Sequence, residues 1–197
     1  MSGIVNKQNF LYWAENNPRD LHQRPLHSSR VTVWCAVSHL GAVGPYFFEE
    51  GGETVTVTSN RYCEMLENFL RPRLDEFDDS EDFWLQQDGT TTHATRRSLG
   101  HLIEMFPTRL VSLRSDIGWP ARSPDLSPCE FFLWRYLKVE VYKHRPQTLK
   151  ALKDAILEEV AAIPPEMTNI VMENFRERLR TFIANNGRHL SDVILET

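Results

Sequence analysis

Two acids stand out by their context. Asp88, in "WLQQDGTTTH" (Trp84–His93), ends a short apolar run at an Asp-Gly turn. Glu130, in "WPARSPDLSPCEFFLW" (Trp119–Trp134), falls in the first turn of a helix that Ser127 caps and Pro128 opens. A carboxylate at the C-terminal end of a strand, with glycine beside it so that the chain can turn sharply, suits a hard cation such as Mg²⁺. Two such carboxylates could hold one cation for phosphodiester chemistry. Holding two cations ~3.5–4 Å apart needs more negative charge close by. Each acid also has a purely structural reading. Asp-Gly is a turn dipeptide. Ser127-x-x-Glu130 fits a capping box, in which the Glu side chain folds back to the N-cap amide. The residues alone leave both choices open.

Other residues gather around these two. His93, four residues past Gly89, could orient Asp88 or meet a phosphate. Trp119, Trp134 and Phe131–Phe132 could stack on bases or simply fill a core. Arg96–Arg97, Lys143–His144–Arg145 and Arg176/Arg178/Arg180 are candidate basic patches, with solvated surface as the plain alternative.

The elements that must position these residues follow from periodicity. "RVTVWCAVS" (Arg30–Ser38) reads as a strand, with a hairpin into a second strand around Tyr46–Glu49. "QNFLYWA" (Gln8–Ala14) is a further β-like run. Tyr62, Met65, Leu66 and Phe69 share one helix face, with Asn60 as N-cap. "FWLQQDG" is a short strand. A helix from Thr91 or Thr92 carries Leu99, Leu102, Ile103 and Phe106 on one face and stops at Pro107. "LVSLR" (Leu110–Arg114) is the next strand. Helix–strand alternation of this kind predicts parallel strands with helical crossovers, and the earlier part predicts an antiparallel meander. The last third is helical. One helix runs from Pro128 to about Tyr142. Thr148 caps the next, with Leu149, Leu152, Ile156, Val160 and Ile163 aligned. A third follows Pro164–Pro165 with Val171, Phe175, Leu179 and Ile183 aligned, and Asn186–Gly187 ends it.

The 197 residues are 41% hydrophobic and 25% charged, which fits one globular domain. No apolar run approaches the ~20 residues of a membrane span. Three cysteines without paired spacing and the lack of any N-x-S/T sequon point to a reducing, intracellular setting without a zinc finger. The formal charge of −5 is unusual for a nucleic-acid protein and leaves any basic surface local.

The blocks "VNKQNFLYW", "VTVWCAVS", "GPYFFEE", "QQDGTTTH", "WPARSPDLSPCEFFLW" and "FRERL…NNGRHLSDVI", in this order, resemble the catalytic domain of mariner/Tc1-type transposases. The resemblance implies an α/β, ribonuclease H-like fold, with a mixed sheet, flanking helices and a helical C-terminal third. It implies residues 1–145 as the endonuclease domain and 146–197 as a helical extension of it. It also implies a triad of acids binding two Mg²⁺ or Mn²⁺ ions, cutting of transposon-end DNA and joining to target DNA, and work in the nucleus. Asp88 matches the second acid of the triad and Glu130 the third, with 41 residues between (130 − 88 − 1). Arg122 and Trp119 in the second block, with His93, Arg96 and Arg97, become candidate DNA-contact or metal-supporting residues. The family's first acid lies on a strand before "VNKQNF", and no acid in this chain stands in that context. That strand is central in the fold, so the expectation is either that the remaining strands close up or that the given chain starts late; it is expected to hold at most one weakly bound cation and to lack strand transfer by itself. A non-catalytic oligomerisation or interaction module is the alternative, with a homodimer as the candidate assembly. A ribonuclease H-like hydrolase of RNA or hybrids would need further acids near Asp88. No membrane or small-molecule substrate is expected.

Overall fold

The computed structural model describes residues 30–77, 82–119 and 123–186. The run expected at Gln8–Ala14, Arg122 and the stop expected at Gly187 lie outside the described residues. Strands β1 (Val33–Ser38) and β2 (Gly41–Phe47) form an antiparallel hairpin, from Val33 opposite Phe47 to Ser38 opposite Gly41. The second strand therefore starts earlier than the sequence suggested. Gly44 makes that possible: its φ is +128°, and a Cβ there would lie 3.0 Å from the Trp34 carbonyl oxygen and 3.1 Å from Cys35 Sγ. Strands β3 (Glu49–Glu50) and β4 (Glu53–Thr54) pair around Gly51–Gly52, both at positive φ, as a tight two-residue hairpin turn requires.

The hairpin has two apolar faces, because alternate residues of a strand point to opposite sides. Trp34, Val43 and Tyr46 pack against one core, built from Tyr62, Met65, Leu66, Leu70, Leu99, Leu102, Phe106 and Leu110. Val33, Cys35, Val37, Ala42 and Phe47 pack against the other, built from Leu133, Leu137, Val141, Leu152, Ile156, Val160 and Ile163.

Helix α1 (Ser59–Met65) is capped by Thr58, not Asn60. Thr58 has the extended backbone of a cap, and its hydroxyl accepts from Arg61 N at 3.3 Å. A π-turn (Leu66–Leu70) carries the helix into α2 (Arg71–Leu74). Three parallel strands follow: β5 (Leu85–Gln86), β6 (Leu110–Ser112) and β7 (Ile117–Gly118), in the order β5-β6-β7. Sequence reading did not anticipate β7, since two residues show no alternation. Helix α3 (Arg96–Met105) crosses from β5 to β6. It begins later than expected because the Thr90 carbonyl accepts from both His93 N and Ala94 N, closing a separate turn. Thr95 is then the cap. Leu99, Leu102 and Phe106 are buried as expected, but Ile103 is 51% exposed. Among the described residues, the β1–β2 hairpin and the parallel ladder share no strand pairing.

The last third is helical: Pro128 and a π-turn (Cys129–Leu133) lead into α4 (Trp134–Lys143), followed by α5 (Leu149–Ala161) and α6 (Pro165–Ala184). Thr148 caps α5 by accepting from Ala151 N at 3.0 Å, and Leu152, Ile156 and Val160 are buried. On α6 the aligned stripe is buried only at Val171; Ile183 at its far end is exposed. No helix among the described residues is long and apolar enough to cross a membrane.

Candidate metal and nucleic-acid site

The two glutamines before Asp88 do most of the positioning. β5 ends in the rung Gln87 N to Val111 O at 3.0 Å, and the side chains of Gln86 and Gln87 then diverge. Gln86 Nε2 donates to Leu126 O (3.2 Å) and to Ser127 Oγ (3.5 Å), tying the strand to the segment that opens the Glu130 helix. Gln87 is buried. Its Nε2 donates to Ser112 Oγ (3.0 Å) and His93 O (3.2 Å), and its Oε1 accepts from the buried Tyr62 hydroxyl (2.8 Å). Every polar atom of the Gln87 amide is thereby matched, as burial demands. The polar pair "QQ" inside an apolar strand was the available signal for this network. Tyr62 and Ser112 carried none, because they are distant in sequence.

Asp88 follows at the C-terminal end of β5, where the chain turns. Its Oδ1 accepts from Thr90 N (3.2 Å) and His93 Nδ1 (2.7 Å), and its Oδ2 accepts from Thr90 Oγ1 (2.5 Å). The turn reading of Asp-Gly is thus correct in form. These bonds hold the Asp88 carboxyl down at about 2, the His93 contact contributing most and the Thr90 hydroxyl next, against the opposing pull of partial burial. His93 lies flat on the Tyr62 ring, with centroids 4.4 Å apart and planes at 28°.

The capping-box reading of Glu130 is overturned. Ser127 has an extended backbone and its carbonyl accepts from Glu130 N (2.8 Å) and Phe131 N (3.0 Å), yet its hydroxyl is turned to Gln86. The Glu130 carboxylate is exposed and has no hydrogen-bond or ion-pair partner among the described residues. Beside it, Cys129 shares a neighbourhood with both acids: burial first, then the Glu130 charge and, more weakly, the Asp88 charge push its thiol up to about 12. Its Sγ contacts Cys35 O at 3.8 Å. Arg178 of α6 pins the approach, with its guanidinium 4.4 Å over the Phe131 ring and Nη1 donating to Asp125 O at 3.1 Å.

The structure thus joins His93 to Asp88 and sets the strand that leads to Asp88 against the segment that opens the Glu130 helix. Arg96 and Arg97 are exposed on the first turn of α3, and Trp119 is half-buried, with its backbone N–H donating to Ser112 O (2.9 Å). The aromatics after Glu130 serve packing: Phe132 stacks on Tyr136 at 5.8 Å, and both it and Trp134 border the second core.

The donor set can be tested against a divalent cation. A carboxylate offers about four lone-pair positions. Asp88 uses three of these internally, and Glu130 uses none among the described residues. Among the described residues no three His, Cys, Asp or Glu side chains form a metal-holding cluster. Both carboxylates are hard oxygen donors of the kind a divalent cation takes, and Glu130 has the more lone pairs free.

No model of a known protein family matches the chain. In fold it is similar to the Mos1 transposase catalytic domain solved with Raltegravir and Mg (TM-score 0.67, 18% identity, 81% of this chain and 76% of that one). It is also similar to the Mos1 mariner paired-end complex with Mn (TM-score 0.68, 20% identity, 91% and 51%) and to a pre-cleavage Mos1 transpososome (TM-score 0.69, 18% identity, 91% and 51%). The architecture is that ribonuclease H-like fold. In sequence the chain is 29% identical over 189 residues to the Tc3 transposase of Caenorhabditis elegans, covering 91% of this chain and 52% of that protein. In sequence and in fold the chain is thus similar to mariner/Tc1-like transposases. The chain spans about half the length of the curated relative it matches.

Proposed function

We propose that the chain handles DNA in transposition, with Asp88 and Glu130 as the catalytic, metal-holding carboxylates. The observation that carries this reading is the Gln86 bridge. Its amide joins the strand that leads to Asp88 to the segment that opens the helix bearing Glu130, which supports a shared edge for two acids 42 positions apart in sequence (130 − 88). A bound Mg²⁺ or Mn²⁺ would supply Lewis-acid stabilisation of a phosphodiester oxygen. His93 and Thr90 hold Asp88 ionised and oriented for it. Glu130 contributes the uncommitted carboxylate. Arg96, Arg97, Arg122 and Trp119 stand as candidate DNA contacts, transposon ends and target DNA as the partners, a homodimer as the assembly and the nucleus as the setting.

With Asp88 and Glu130 as its two proposed carboxylates, we further propose that the site holds one cation weakly and that this chain alone carries out no strand transfer. Isothermal titration with Mn²⁺ tests the first part: one weak site, lost in Asp88→Asn, is expected, and two tight sites would refute it. A cleavage assay on transposon-end DNA with Mn²⁺ tests the second: robust cutting abolished by Asp88→Ala would overturn the proposed inactivity.

A further inference from the structure

We propose that the exposed face of α4 is the track along which a DNA strand runs from the Asp88/Glu130 edge. Arg135 and Lys138 meet its phosphates and Tyr142 meets a base. This rests on the reading of the chain as a DNA-handling protein.

The geometry starts from the π-turn. Trp134 N bonds to Cys129 O, so the turn over Cys129–Leu133 holds one residue more than an α-turn. That extra residue brings Arg135 round to the side on which Glu130 stands. From Arg135 the 3.6-residue period adds Lys138, Val139 and Tyr142 to the same face. All five residues are exposed, and Leu133, Leu137 and Val141 are buried on the other side.

The chemistry of this face differs from that of the chain as a whole. "RYLKVEVYKHR" (Arg135–Arg145) holds four Lys or Arg against one acid, in a protein of net charge −5. The one acid, Glu140, lies round the helix and is paired with Lys143 at 2.5 Å. Arg135 and Lys138 have no carboxylate partner among the described residues, whereas Arg61, Arg71, Lys150 and Lys153 each have one. Two large apolar side chains sit among these cations: Val139 is 54% exposed and Tyr142 45%. Unpaired cations with an interleaved aromatic fit a polyanion that presents flat apolar rings, which is a nucleic-acid strand. The strip begins at Glu130, so it is continuous with the proposed site.

The test is binding of the full chain to labelled mixed-sequence DNA, single-stranded and duplex, over a series of KCl concentrations. Replacing both cations (Arg135→Gln, Lys138→Gln) should flatten the log–log salt slope on duplex by about 1.8, at about 0.9 per phosphate contact. Tyr142→Ala should weaken single-strand binding about tenfold with the slope unchanged. Arg71→Gln with Lys150→Gln removes the same charge elsewhere and should leave the slope as it is. Equal losses in the two double variants, or none in either, would overturn the track while leaving DNA handling intact. No binding by the unaltered chain would overturn both. If the α4 double variant changes only the mass seen by light scattering, the face joins copies of the chain and the track is refuted.

Discussion

The imidazole of His93 lies flat on the buried ring of Tyr62, at 4.4 Å, with its Nδ1 on Asp88. A side chain 1% exposed in the core thus sets the plane of a ring at the candidate site. Tyr62 is fixed in turn by its hydroxyl, which donates to Gln87. Tyr62→Phe keeps the stack but leaves Gln87 Oε1 buried without a donor. The expected cost is about 1–3 kcal/mol of unfolding free energy. Tyr62→Ala should cost more, about 3–5 kcal/mol by analogy with other aromatic deletions, because it also opens a cavity. Urea unfolding of the three proteins checks the order. Equal stability of Tyr62→Phe and the unaltered protein would show that the hydroxyl bond does not form.

The depressed Asp88 carboxyl gives a pH signature. Its folded value of about 2 lies below the ~3.9 of an unfolded aspartate, so the unfolded chain binds more protons in that interval. The contribution of the Asp88 contacts is therefore complete above about pH 4, declines as pH falls and is gone below about pH 2. The side chain is 47% exposed, so solvent screens the effect and its size is small. Carbon-13 NMR of the carboxyl should show the low midpoint directly. His93→Ala should move that midpoint up towards the ordinary range, since His93 is the main cause. An unmoved midpoint would assign the depression to Thr90 instead.

Local sequence chemistry anticipated several features of the fold and missed others for identifiable reasons. Thr148 and the Leu152–Ile156–Val160 stripe were legible because a cap and an i, i+4 pattern are local. The hairpin and the helix–strand alternation were legible for the same reason. The start of α3 was not, because one carbonyl, that of Thr90, captures two amides and delays the helix. The π-turns after Met65 and Pro128 were not, because one inserted residue leaves the apolar pattern nearly unchanged. At the site, the spacing of Asp88 and His93 suggested their contact. Gln86 to Ser127 and Gln87 to Tyr62 span 41 and 25 positions, and only folding reveals them.

The failed capping box separates two hydroxyls that look alike in sequence. Thr148→Ala removes a formed cap bond and should cost about 0.5–2 kcal/mol. Ser127→Ala removes only a long contact to Gln86 and should cost clearly less. Thermal unfolding of the two variants compares them. If Ser127→Ala proves as costly as Thr148→Ala, its hydroxyl caps the Glu130 helix after all, and Glu130 loses its claim to be uncommitted.

Cys35 and Cys129 meet where the β1–β2 hairpin touches the helix that carries Glu130. Burial, and then each thiol's charged neighbour, raise both to about 12: Cys129 acts on Cys35, and Glu130 on Cys129. Alkylation and disulfide exchange require the thiolate. At pH 8 the thiolate fraction at such a site is about three orders of magnitude below that of an ordinary thiol near 8.5. Native protein treated with a chromogenic disulfide at pH 8 should therefore leave Cys35 and Cys129 unmodified while a free thiol standard is consumed. In concentrated urea all three cysteines should react at once. Glu130→Gln removes one of the charges that raise Cys129, so its residual reactivity should increase while that of Cys35 changes less. Fast native labelling of Cys129 would mean that the contact between the Glu130 helix and β1 opens readily, and that Asp88 and Glu130 are not held at a common edge.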